Sequence, residues 1–145
     1  MAKVSTYLNF ARSTEEAFTF YKSVFKTEFA TPIMRFGDGP GCPGGPEMSA
    51  ADKQLVMHVA MPITGGHLLL GSDCPESMGR KLVVGNNFYI NLEPDTRAEA
   101  DRLFKALTAG GKVDMPMQDM FWGAYWGCFA DRFGVQWMIN CMEKK

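Results

Sequence analysis

The sequence predicts an α+β fold in which two βαβββ modules pair into a curled mixed sheet with an open cleft and the helices outside. Three observations lead there. A strand-like tetrapeptide occurs twice, as Tyr7-Leu8-Asn9-Phe10 and as Tyr89-Ile90-Asn91-Leu92. Each copy is followed by Ser/Thr-x-x-Glu, the pattern in which a hydroxyl and a carboxylate satisfy the open amides of a helix start. Each helix pattern is then followed by three more strand-like stretches. The chain has 145 residues, and neither half can bury a sheet face alone. The modules, residues 1–78 and 84–145, are therefore expected to form a single domain around a shared core.

The elements read in order as follows. Tyr7 to Phe10 alternates apolar and polar, as a half-buried strand does. Ser13-Thr14-Glu15-Glu16 opens a helix whose apolar face is predicted to be Ala17, Phe20, Tyr21, Val24 and Phe25, at i, i+3, i+4, i+7 and i+8 spacing. Residues 28–36, 54–63 and 67–72 read as strands, the last after a Gly65-Gly66 turn. The stretch 36–46, FGDGPGCPGGP, reads as a surface loop, with a flap over the cleft as the alternative. It is no phosphate cradle, because its prolines remove amide donors and no helix follows directly. In the second half Thr96-Arg97-Ala98-Glu99 opens a helix carrying Ala100, Leu103, Phe104 and Leu107, and Gly110-Gly111 is expected to end it in a left-handed cap. Residues 112–120, 121–130 and 135–141 read as strands, with Asp131-Arg132-Phe133-Gly134 as the turn between the last two. One inserted residue in the second strand-to-helix turn registers the halves.

Composition limits the function. A hydrophobic fraction of 46% with 18 aromatic residues (11 Phe, 4 Tyr, 3 Trp) supports a buried core. Fifteen basic and sixteen acidic side chains give a net charge of −1, so no positive field exists to collect nucleic acid or anionic lipid, and neither is expected as a partner. Cys42, Cys74, Cys128 and Cys141 are scattered, with no Cys-x-x-Cys spacing, and are expected as free thiols. No apolar run approaches the ~18 residues that span a bilayer, and no apolar signal core follows Lys3, so a cytoplasmic location is expected. Eleven Met beside fifteen Gly fit either an adaptable core or a soft-walled ligand pocket.

Several motifs together carry a family resemblance. They are Tyr7-Leu8-Asn9-Phe10, Glu16-Ala17 with Phe20-Tyr21, Met57-His58, Gly71-Ser72-Asp73, Gly85-Asn86-Asn87-Phe88, Phe121-Trp122-Gly123 and, most specific, Asp131-Arg132-Phe133-Gly134-Val135-Gln136-Trp137-Met138-Ile139-Asn140. The sequence resembles the vicinal oxygen chelate superfamily of glyoxalase, bleomycin-resistance and dioxygenase proteins, and in particular its PhnB-like branch. The resemblance implies paired βαβββ modules. It also implies a divalent metal held by His and Glu from the first and last strands of each module, which polarises neighbouring substrate oxygens. This chain departs from that ligand set: Met138 and Leu70 stand where the metal-binding carboxylate is expected, and Tyr7, Asn9, Tyr89 and Asn91 occupy the first strands. No cofactor is therefore expected, with a divalent metal in a non-standard site as the alternative. A ubiquinone-related methyltransferase role, a label some members of this branch have carried, finds no support in any glycine-rich nucleotide-binding turn.

The candidate catalytic residues are His58, whose imidazole suits acid–base work, and Asp73, which equally well caps the turn into Cys74-Pro75. The candidate ligand-binding residues are Tyr7, Asn9, His58, Asn91, Gln118, Trp122 and Trp126. His58 shares a face with Val56 and Ala60 in a regular strand, and His67, after two glycines, is expected to be exposed. Asn9 and Asn91 are read as equivalents that either meet ligand or bond backbone at the module seam. Trp122, Tyr125, Trp126 and Phe129 wall an aromatic ligand, or else fill the core or a dimer contact.

Three functions fit. The first is metal-independent binding of a small, aromatic or amphipathic molecule in the cleft. The second is an enzyme of the glyoxalase or dioxygenase type using His58 and Asp73, with or without a metal. The third is self-association through aromatic surface, and a homodimer is the expected assembly.

Overall fold

In each half of the chain a strand, a helix and three further strands follow one another, and the strands are hydrogen-bonded in the same order. The computed structural model describes residues 1–39 and 47–145. They divide into two compact units, Met1–Val83 and Val84–Lys145. Most of the glycine-rich stretch 36–46, including Cys42, lies outside the described residues.

The first unit contains β1 (Thr6–Phe10), α1 (Thr14–Phe25), β2 (Met34–Arg35), α2 (Ala50–Lys53), β3 (Val56–Pro62) and β4 (Leu68–Asp73). Its sheet runs β1-β4-β3-β2, with β1 parallel to β4 and the other pairs antiparallel. α1 packs on β3 and β4, and Leu8, Phe10, Val56, Val59, Met61 and Leu69 are buried. The buried helix residues are Thr14, Ala17, Phe18, Tyr21 and Val24, so the apolar stripe is rotated from the predicted one. Phe18 replaces Phe20 and Phe25, which are only half-buried. Gly71 is the reason: a Cβ there would lie 2.5 Å from the Phe18 ring, and its absence leaves the slot that the ring fills.

The first predicted helix start also forms differently. Ser13 occupies the cap position without a side-chain cap bond. Instead Thr14 donates its amide to Asp73 Oδ1 at 3.0 Å, an acceptor delivered from β4. The strand predicted over 28–36 shrinks to Met34–Arg35. Pro32 lacks a donor, and only isolated bonds such as Ala30 N to Ala60 O (2.7 Å) hold the preceding chain beside β3.

The second unit contains β5 (Ile90–Leu92), α3 (Arg97–Leu107), β6 (Lys112–Asp119), β7 (Tyr125–Ala130) and β8 (Gln136–Cys141), in sheet order β5-β8-β7-β6. Here the hydroxyl half of the capping pattern forms, with Thr96 Oγ1 accepting from the Glu99 amide at 3.1 Å, while the Glu99 carboxylate accepts from Arg102 at 2.6 and 2.9 Å. Ala100, Leu103 and Leu107 are buried, and Phe104 meets the Phe129 ring edge-on at 5.3 Å. The helix ends at Leu107, and the left-handed residue, Gly110 (φ 75°), comes three positions later. The strand predicted over 121–130 starts only at Tyr125. Residues 120–124 form a turn closed by Met120 N to Ala124 O at 2.8 Å, with Gly123 at φ 95°.

The repeat is real but its register differs from the motif alignment. The β3–β4 hairpin pairs Pro62 with Leu68, and the β7–β8 hairpin pairs Ala130 with Gln136. Counted from these, Leu70 and Met138 are equivalent, as predicted. Yet Leu70 faces Tyr7 across the sheet, whereas Met138 faces Asn91 and Asn9 faces Ser72. The structural counterpart of Asn91 is therefore Tyr7, not Asn9. The slip is of two residues, an even number, so every side chain keeps its face.

Candidate functional site

Each sheet has one face under its helix and one left open. On the first sheet the register places Tyr7, Asn9, Leu70 and Ser72 on the open face. β3 joins them through an irregularity: Met34 pairs with His58 but Arg35 with Val56, so three β3 residues span two of β2. Such a bulge turns two successive residues to one side. Val56 and Val59 are both buried, while Met57 is exposed and His58 half-buried between them. His58 thus does not share its face with Val56, as regular alternation predicted. Its ring lies 6.0 Å from that of Tyr7, tilted by 39°. Ser72 Oγ donates to Asn9 Oδ1 at 3.1 Å. The other histidine, His67, is half-buried rather than fully exposed, with its Nε2 2.9 Å from Thr6 Oγ1.

Asp73 is not part of this group. It is buried on the helix face beside Phe10, and its second oxygen accepts the Val56 amide at 2.8 Å. The structure therefore separates the two residues that the sequence paired for catalysis, because an odd number of β4 positions divides Asp73 from the open-face Ser72. Asp73 ties the start of α1 to β3. Replacing it with Asn is expected to cost about 2 kcal/mol of unfolding free energy by weakening two buried bonds. His58→Ala should stay within about 0.5 kcal/mol of the parent in the same urea titration.

On the second sheet Asn91, Met138, Asn140 and Trp126 share the open face, and Gln118 lies opposite Trp126 on β6. The sequence predicted that Trp122 and Trp126 share a face of one unbroken strand. They do meet, but across the turn: their rings stand 5.9 Å apart at 69°, and Phe121 stands at 86° to Trp122, 5.2 Å away. Trp122 Nε1 donates to Asn140 Oδ1 at 3.5 Å, and Gln118 Nε2 to Pro116 O at 3.3 Å. Tyr125 and Phe129 leave the aromatic run for the helix side. Arg97 makes two bonds to Asp119 (2.7 and 3.2 Å) and covers the Tyr125 ring at 3.8 Å, and Tyr125 donates to Asp101 at 2.6 Å. These bonds fix the base of the hairpin whose tip carries Phe121 and Trp122. The Arg97 guanidinium holds the Asp119 carboxyl below the usual carboxylate range, and the bond to Asp101 pushes the Tyr125 phenol up.

Sequence reasoning missed Ser72, Asn140 and Met34. Strand parity from Leu70 and Met138 could have found the first two, while the bulge that brings Met34 opposite His58 leaves no local signature.

The positions facing each other across the first and last strands are Tyr7 with Leu70 and Asn91 with Met138. A phenol, an alkyl chain, an amide and a thioether supply neither the carboxylates that hard divalent cations select nor the imidazoles that suit zinc, iron or nickel. Among the described residues no three His, Cys, Asp or Glu side chains gather as a metal site.

Two four-stranded mixed sheets of this order, each with a parallel first and last strand and one helix-covered face, define the glyoxalase-type α+β fold. The chain belongs to the Glyoxalase/Bleomycin resistance protein/Dioxygenase superfamily, whose profile matches residues 4–139. It is 30% identical to protein YjdN of Escherichia coli (strain K12), over 98% of this chain and 97% of that one. Protein PA1353 of Pseudomonas aeruginosa, a crystal structure, is 34% identical over the whole of both chains, with a TM-score of 0.84. A PhnB protein of Bacillus cereus shares the fold at a TM-score of 0.75 and 24% identity, over 97% of this chain and 99% of that one. Among the described residues no helix is long and apolar enough to cross a membrane.

Proposed function

We propose that this protein binds small aromatic molecules on the open face of each of its sheets, taken separately, without a divalent metal in the positions its superfamily uses. The observation that carries this reading is the aromatic corner of the second sheet. Trp122, 45% exposed, stands edge-to-face with Trp126, with Asn140 and Gln118 beside them, so large apolar rings are held in water with amides at hand to orient a polar substituent. Tyr7, Asn9 and His58 give the first sheet a polar surface for the same purpose. An enzyme working through His58 and Asp73 is the weaker reading, since the sheet stands between them.

The natural reporter is tryptophan fluorescence. Trp137, the third indole of the chain, is buried with its Nε1–H on Asp131 Oδ2 at 2.8 Å, so quenching by an added ligand reports on Trp122 and Trp126. With 2-naphthol as probe, saturable quenching is expected. Trp122→Phe and Trp126→Phe should each weaken it about fivefold, the range of one aromatic contact. Chelator treatment should change nothing. Non-saturable quenching, or a stoichiometric divalent metal in tag-free protein whose removal abolishes binding, overturns the proposal.

The same reading places the protein in the cytoplasm and has it assemble as a homodimer. What supports the dimer is the exposed apolar surface of the second unit, with Phe121 95% and Phe88 58% exposed. Light scattering across a concentration series tests it, and a monomer throughout removes it.

A further inference from the structure

We infer that the ligand group received by the first sheet carries no formal charge and is read there through hydrogen bonds to Tyr7, Asn9 and His58. This rests on the open faces being the binding surface, and it names the chemical class that the first of them accepts.

The three long strands of that sheet, β1, β3 and β4, contain a single formally charged side chain, Asp73. It points to the helix side and is consumed by two backbone amides. The short strand β2 contributes one cation, Arg35, whose guanidinium is taken up by Glu15 (2.8 and 3.1 Å) and by the Gln54 carbonyl (2.7 Å). What remains on the open face is uncharged, with Tyr7, Asn9, His58 and Ser72 as its polar side chains. A carboxylate, phosphonate or ammonium group laid on this surface would lose water and gain no counter-charge, which is strongly unfavourable.

The polar groups on this face are also unspent. Among the described residues the Tyr7 hydroxyl and both His58 ring nitrogens have no hydrogen-bond partner. The Asn9 oxygen is taken by Ser72, which leaves the two amide N–H groups of Asn9 as donors. A neutral imidazole adds one donor and one acceptor, and a phenol adds one of each. The surface therefore offers both donors and acceptors to a neutral group such as an amide, a ketone or a phenol, and turns away its ionised analogue. The second sheet differs, since its Gln118 and Trp122 already bond within the protein.

The test uses one scaffold in three charge states, benzamide, benzoate and benzylamine, titrated at one mildly alkaline pH at which benzoate and benzylamine both keep their charge. The readout is the His58 imidazole signal in carbon-resolved proton NMR. His67, the only other histidine, is held by Thr6 and serves as the internal reference. Benzamide is expected to shift His58 saturably, with benzoate and benzylamine about tenfold weaker or more. In Asn9→Asp, which adds a charge to an exposed position without changing shape, the order should reverse in favour of benzylamine. Benzoate or benzylamine binding the parent as well as benzamide does overturns the inference, and so does a His58 signal that none of the three moves. If 2-naphthol still quenches Trp122 and Trp126 in that case, the binding reading stands and only the neutral class falls. If 2-naphthol fails as well, the reading itself is lost.

Discussion

Asp131→Ala is expected to lose about 4 kcal/mol of unfolding free energy, a large part of the roughly 5–15 kcal/mol that holds a domain folded. The carboxylate is buried at the β7–β8 turn, where Oδ1 accepts the amides of Phe133 (2.8 Å) and Val135 (3.1 Å) and Oδ2 accepts the Trp137 indole N–H (2.8 Å). Truncation strands three donors, one of them wholly inside the core, and each stranded buried donor costs about 1–3 kcal/mol. Asp131→Asn should lose about half as much, because one oxygen remains for the turn while the new NH2 confronts the indole donor. Urea denaturation followed by circular dichroism measures both. A loss below about 1 kcal/mol for Asp131→Ala would show that water replaces the carboxylate, contrary to its burial.

Gly71→Ala should cost about 3 kcal/mol, the upper range for overpacking a core. The added Cβ would stand 2.5 and 2.8 Å from two ring carbons of Phe18 and 3.3 Å from the Leu8 carbonyl oxygen. Phe18 has no solvent to move into, being fully buried between α1 and the sheet. Pairing the change with Phe18→Leu should recover part of the loss, so that the double variant is more stable than the sum of the singles predicts. Strict additivity would mean that Phe18 and the new methyl never meet. The open face should be unaffected, and 2-naphthol should bind the folded variant as it binds the parent.

The motif Asp131-Arg132-Phe133-Gly134-Val135-Gln136-Trp137 illustrates what was legible in the sequence. Its residues act on one another within seven positions: an acceptor, two backbone donors, a glycine at φ 88° and an indole donor. The hydroxyl half of the second capping pattern is equally local, and Thr96 Oγ1 meets the Glu99 amide, while the Glu99 carboxylate turns to Arg102. The first pattern misled because a distant residue outcompeted it. Asp73, 59 positions on in sequence, delivers a carboxylate to the Thr14 amide at the helix start, where the sequence placed the Ser13 hydroxyl as the acceptor.

The candidate site follows the same division. Alternation placed Tyr7 and Asn9 opposite the buried Leu8 and Phe10, and it did so for Asn91 as well, because the period of two is a property of the strand alone. It failed at His58, where a bulge reverses parity, and at Trp122, which reaches Trp126 around a turn rather than along a strand. It also paired His58 with Asp73, since one-dimensional proximity carries no information about which face of a sheet each occupies.

By itself, then, the sequence determined the two-module α+β class, the two long helices α1 and α3 and the hairpin turn at Asp131. Each is written in contacts of short range or in periodicity. Only the tertiary structure decided which acceptor starts α1, that Phe18 fills the space above Gly71, that Tyr7 is the counterpart of Asn91, and that Asp73 supports the sheet from behind while His58 faces outward. Those outcomes depend on strand register and on bulges, which arise from pairing between segments far apart in the chain.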